Sequence, residues 1–225
     1  CLLDSSRVSG SNYPFVYNNV DSRGAFPKNI KKPWRVGFVK TNIWEKAEEY
    51  TKKEITNFIN KLSKHDDFVV TEISWPDEFS DVHKNHSTIY NKSLSYYFKN
   101  EKEVDIELLT PLMSEMISKG EGVDIKEYSN ALDFQENFCT HINELFSHCD
   151  IVISLATAGS APLRKEKVID DPSLLWSFGH LPAIAAPQFR SPEGLPFAVQ
   201  LIAKKWDDYL LMQCVEDLID KGLIE

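Results

Sequence analysis

Cysteine is scarce: Cys1, Cys139, Cys149 and Cys214 are the only four in 225 residues, and no two form a C-x-x-C pair. A disulfide-built scaffold is thereby excluded, and scattered thiols read as reduced packing residues of a cytoplasmic protein. Basic excess is absent as well. Twenty-five Lys and Arg against 34 Asp and Glu give a net charge of −9, which disfavours direct contact with nucleic acid or an anionic membrane. The longest stretch without formal charge, residues 172–189, holds three prolines and a histidine, and so would be a poor spanning helix. No charged start followed by an apolar middle marks a signal peptide. The nine glycines never fall into G-x-G-x-x-G or G-x-x-x-x-G-K-[ST], so no backbone cradle for a nucleotide phosphate is expected, and no cofactor. The nucleophile motif G-x-S-x-G is missing too.

The composition that is present, 42% hydrophobic, 12% aromatic and 26% charged, is that of a chain able to bury a core. It predicts a single α/β domain over residues 1–225 rather than a disordered one. Residues 1–33 are rich in Ser, Asn, Gly and Pro and read as an irregular connection. Trp34 to Lys40 then alternates like a strand. Trp44, Ala47, Thr51, Ile55, Phe58, Ile59 and Leu62 recur at helical steps, and Phe68 to Ile73 is a second strand stopped near Pro76. Strand, helix and strand of these lengths predict a βαβ crossover. Three polar helical stretches follow, around 79–98, from 106 to Gly120 or Gly122, and 128–146. After His148 the chain turns apolar. Asp150 to Leu155, Leu181 to Ala186 and Phe197 to Ile202 read as strands covered on both faces. The last two are separated by a loop over 187–196. A final helix starts at Asp207 or Asp208 and ends at Gly222. The fold class expected is α/β, an open and mostly parallel sheet with helices on both faces.

Few residues suggest chemistry by themselves. Ser160 follows a buried strand, where α/β proteins place functional loops, yet it has no sequence-adjacent base and reads first as a turn serine. His141, Glu144 and His148 fall at helix steps of three and four and could share one helical face, and Asp81, His83 and His86 lie close in sequence. Both sets read as solvated or packing side chains, so no metal is expected.

Three consecutive segments carry more information. Asp150–Pro162 (DIVISLATAGSAP) resembles the D-x-hydrophobic strand and T-x-P-x-x-A-P loop of the amidase signature family. Trp176–Ile184 (WSFGHLPAI) is similar to its W-[TS]-x-x-G-L-P-A-I segment, and Ser191–Ala203 (SPEGLPFAVQLIA) to its S-P-x-G-L-P-x-G-[VL]-Q-L-[IV]-G. The likeness continues through Lys204 to Leu211, and the early strand Trp34–Lys40 resembles the family's P-x-R-I-G-V. The departures are His180, Ala198 and Ala203 in place of glycines, and Gly159 in place of a proline.

The resemblance implies the carboxyl-terminal part of an amidase-signature fold and the hydrolysis of carboxylic amide C–N bonds. Its family uses a serine, a second serine held by a cis peptide, and a lysine, within a G-G-S-S-G-G-S stretch that this sequence does not contain. No catalytic residue is therefore expected in this chain. A serine hydroxyl without a positioned base and oxyanion donors is a weak nucleophile. Cys1-Leu2-Leu3-Asp4 resembles the end of the helix that follows that stretch, which favours a cut within a longer polypeptide over a lipoprotein start. The expected partners are the amino-terminal half of the same amidase and a small-molecule amide, with self-association of exposed apolar surface. The chain alone is expected to be inactive, with Thr157, Ser160, Trp176 and His180 as candidate pocket residues. Two other readings remain: a non-catalytic domain binding a ligand or partner, and a fragment of a transamidase subunit.

Overall fold

A computed structural model describes residues 32–164, 166 and 170–224; the turn-rich opening thus lies almost wholly outside the described residues. Five strands form one sheet: β1 (Trp34–Lys40), β2 (Phe68–Ser74), β3 (Ile151–Leu155), β4 (Ala183–Arg190) and β5 (Pro196–Ala203), in the spatial order β2-β1-β3-β5-β4. β1 lies parallel to both β2 and β3, while β5 is antiparallel to β3 and to β4. Four strands therefore point one way and β5 alone runs against them. The expected α/β sheet is present and is mixed, since both pairings of β5 are antiparallel, with β3 and, at the far junction, with β4.

That junction departs from the sequence reading. Pro187 suggests a stop, because proline cannot donate to a ladder. Instead β4 runs on to Arg190 through a register shift between Ala186 and Phe189, and resumes pairing with Phe189 opposite Phe197. Proline is tolerated at an edge strand or bulge, and β4 supplies both. The two strands are a hairpin whose turn spans Ser191 to Leu195, with Gly194 at φ 82°.

Helices cover both faces. On one side α1 (Glu49–Leu62) and α7 (Asp208–Asp220) bury Ile55, Phe58, Leu211 and Leu218 against Val36, Phe38, Ile153 and Leu201. On the other, α5 (Ile125–Leu145) and the short α6 (Leu174–Phe178) pack Phe138, Ile142, Trp176 and Phe178 over Val39, Val152 and Ile202. In β1, β3 and β5 residues serve both cores, which is why β3 and β5 read as near-continuous apolar runs. The edge strand β4 instead gives Ala186 to one core and leaves Ala183 and Ala185 exposed, so it is not covered on both faces. Outside α5 lies a further layer, α2 (Val82–Tyr97), α3 (Lys99–Val104) and α4 (Pro111–Gly122). The helical pattern read from Trp44 resolves into a 3₁₀ turn, Trp44–Lys46, and α1 proper. The stretch read from Ile106 is likewise a 3₁₀ turn, and α4 starts only where Thr110 accepts the Met113 N–H with Pro111 at the first helical position.

Arg35 in the first strand segment and Asp150, 115 positions later, meet directly. The Asp150 carboxylate accepts the Arg35 backbone N–H at 2.9 Å and the Arg35 guanidinium, while the Asp150 N–H donates to the Arg35 carbonyl at 2.7 Å. Together they lock β1 beside β3 at the start of both strands, and the pairing holds the guanidinium pKa above its usual value. Arg35 is half-exposed, so solvent screens the charge and the backbone bond matters most. Asp150→Ala is expected to cost about 1–2 kcal/mol of unfolding free energy, measured by urea titration.

Candidate functional site

In open α/β sheets ligands bind outside the carboxyl ends of the strands. At that end β3 leads into the loop 156–163, and the amino end of the reversed β5 lies beside it. With the first turn of α1 they enclose a cleft of about 1020 Å³. Its lining is largely apolar, from Leu163, Pro187, Leu195 and Phe197 among others. The charged side chains among the described lining residues are all carboxylates: Glu48, Glu166, Asp171 and Glu193.

The loop is held from α1. The Glu48 N–H donates to the Ala158 carbonyl at 2.8 Å, and the Ser160 N–H donates to the Tyr50 hydroxyl oxygen at 2.8 Å. Tyr50 and Ser160 also share a hydroxyl–hydroxyl contact at 3.2 Å. Gly159 permits this approach, since a Cβ there would stand 2.8 Å from Glu48 Cγ and 3.0 Å from Tyr50 Oη. Thr157 closes the turn on itself, its hydroxyl donating to the Gly159 carbonyl at 2.7 Å.

Thr157 and Ser160 both line the cleft. Among the described residues, Ser160 Oγ has the Tyr50 hydroxyl as its hydrogen-bond partner, with no imidazole, amine or carboxylate in range. Trp176 and His180 do not line it. Trp176 is wholly buried in the α5–α6 core, its indole 6.0 Å from that of Trp75. His180 is exposed at the end of α6, where φ is 56°. Its N–H bonds the Ser177 carbonyl and the Leu181 N–H bonds that of Trp176. This is a Schellman end with a left-handed residue just past the helix, built like the end of α7, where Gly222 takes the same place. Glycine suits such a position and histidine bears a Cβ penalty. Although His180 is largely exposed, its imidazole has a pKa below the ordinary value, through partial desolvation by the surrounding protein and then the Lys205 charge. His180→Gly is expected to raise stability by about 1 kcal/mol, seen as a rise of a few degrees in thermal midpoint.

Among the described residues no group of three or more His, Cys, Asp or Glu side chains could hold a metal ion. His141 Nδ1 lies 3.0 Å from the Asn137 carbonyl, and His83 Nε2 lies 2.8 Å from that of Asp171. Burial raises the thiol pKa of Cys139, Cys149 and Cys214, to about 11 for Cys149. These are packing thiols. No helix among the described residues is long and apolar enough to cross a membrane.

Tyr50 is the residue that sequence reasoning missed. Its partner lies 110 positions away, and its place in the first turn of α1 gives no local signal.

The family model for amidases matches residues 4–212, and the chain belongs to the amidase family. Among curated proteins it is 29% identical, over 140 residues, to a glutamyl-tRNA(Gln) amidotransferase subunit from Borreliella afzelii, a match covering 58% of this chain and 28% of that protein. Among solved structures, an amidase superposes with a TM-score of 0.75 at 16% identity, covering 87% of this chain and 47% of its own. The corresponding amidotransferase subunit from Thermotoga maritima gives 0.60 at 18% identity, covering 81% and 41%. The chain therefore spans under half the length of these relatives.

Proposed function

We propose that this chain forms the carboxyl-terminal sheet and one wall of the substrate cleft of an amide-hydrolysing enzyme. Its nucleophile and base would be carried by an amino-terminal amidase segment that this sequence does not contain. The observation that carries the reading is the cleft at the carboxyl end of β3, lined by Thr157 and Ser160 with only a tyrosine hydroxyl against Ser160 Oγ. Activation of a serine needs an adjacent base, and the tetrahedral oxyanion needs preorganised donors. A wall without either contributes by orienting the amide, which is itself a large part of catalysis. The compartment proposed is the cytoplasm, in keeping with three packing thiols that form no disulfide.

The test is amide hydrolysis by the purified 225-residue chain and by a polypeptide or complex that adds the upstream segment. The expected result is no turnover from the chain alone and turnover from the completed protein. Turnover by the chain alone that Ser160→Ala abolishes would falsify the proposal.

A second reading is favoured by the 29% identity to an amidotransferase component: the chain would be part of a transamidase that delivers ammonia to charged tRNA. A completed protein that consumes glutamine in preference to simple amides would support it over a general amidase.

A further inference from the structure

Large apolar side chains are seldom left exposed inside a concavity unless something rests on them. In this cleft Leu163 is 74% exposed and Leu195 43% exposed, and the half-buried ring of Tyr50 shares the same space. That ring is held at both ends. Its hydroxyl is bound by the Ser160 N–H at 2.8 Å. Its edge meets Phe197 with centroids 5.5 Å apart and planes at 70°. Phe197 in turn leans on Phe189 at 5.2 Å, and Phe189 on Phe58 at 6.1 Å, so the row of rings continues into the core beneath α1. A tyrosine so fixed cannot swing aside to admit a bulky polar group, and it offers a preorganised aromatic surface.

We infer that Tyr50, with Leu163 and Leu195 beside it, is a specificity-determining residue that selects amides bearing a flat apolar group. The inference rests on the reading of this cleft as the amide site. An aromatic ring on the substrate stacks on or edges against Tyr50 and covers the two leucines, while a small aliphatic amide leaves them wet. Through its hydroxyl the same tyrosine positions the 157–160 loop, so ring and hydroxyl have separable duties.

The experiment titrates the full 225-residue chain with phenylacetamide and with acetamide, following both by NMR. Phenylacetamide is expected to bind at least about tenfold more tightly, the size of one good aromatic contact. Tyr50→Phe keeps that ratio but exposes the Ser160 amide, whose hydrogen exchange quickens by about tenfold, the loss of one hydrogen bond. Tyr50→Ala brings the ratio close to one. Leu195→Ser, at an exposed site that does not endanger folding, reduces it about threefold, in proportion to the apolar surface removed. Equal binding of the two amides, no saturable binding of either, or an unchanged ratio in both Tyr50→Ala and Leu195→Ser would overturn the inference. Hydrolysis by the completed protein reports separately: turnover without aromatic preference removes the Tyr50 selectivity and leaves the amide-hydrolysing function, and aromatic binding without turnover does the reverse.

Discussion

Trp176→Ala lowers the free energy of unfolding by about 3–5 kcal/mol, the usual cost of emptying a buried tryptophan site. For a chain of this size the thermal midpoint falls on the order of 10 °C. The indole is wholly buried among Leu175, Phe178 and Ile202, and meets Trp75 edge-on. The surrounding rings are pinned by one another, Phe138 against both Phe79 and Phe178, so the site has little freedom to collapse. Chemical denaturation reads the loss directly. Because Trp176 lies outside the cleft lining, binding of a small amide by the molecules that remain folded is unchanged. A large drop in affinity with stability intact would show the indole reaching the ligand instead.

Gly120→Ala is the second severe substitution, and two opposing effects decide it. Alanine in a helix interior gains about 1 kcal/mol over glycine. Against this, a Cβ at position 120 would fall on the carbonyl of Asn91 in α2. That neighbour is backbone, so no rotamer change relieves the overlap and α4 must move off α2. Overpacking of this kind costs about 3 kcal/mol, and the clash wins. Gly122, two residues on, has nothing within 4 Å of its Cβ position. Gly122→Ala is therefore the control, neutral or slightly stabilising in the same urea titration.

The alternating period of Trp34–Lys40 and Phe68–Ile73 and the three apolar runs after His148 were enough to locate the five strands, because β1, β3 and β5 feed two cores and carry the pattern of both, while β4 lies at the edge and feeds one. The helix starts were harder. Ala47 adopts an extended ψ of 150°, which interrupts a helical stripe that composition alone shows as continuous. The hairpin was hidden by Pro187, since a bulge that absorbs a proline leaves no local mark beyond the proline itself. At the site, Thr157 and Ser160 were legible from their position after a buried strand. Trp176 and His180 stood in the same strongly patterned segment, yet its pattern encodes a helix end: Trp176 supplies both a core indole and the carbonyl that Leu181 binds, and His180 the left-handed turn between them. The φ of 56° at that place is one that glycine adopts without a Cβ penalty. Tyr50 was invisible because hydroxyl-to-amide contacts between distant loops follow from the assembled sheet, not from spacing along the chain.

β4 ends the strand order, and its outer rim meets no other strand among the described residues. From Ala183 to Phe189 it bears no charge, with Ala183, Ala185 and Pro187 exposed. Natural edges are normally blunted by lysine or by a covering element, and among the described residues Pro187 and the bulge are what interrupts the template. Concentrated solutions of the chain should accordingly zip together rim to rim, turning turbid or binding thioflavin over hours, and a gatekeeper lysine introduced as Ala185→Lys should keep them clear.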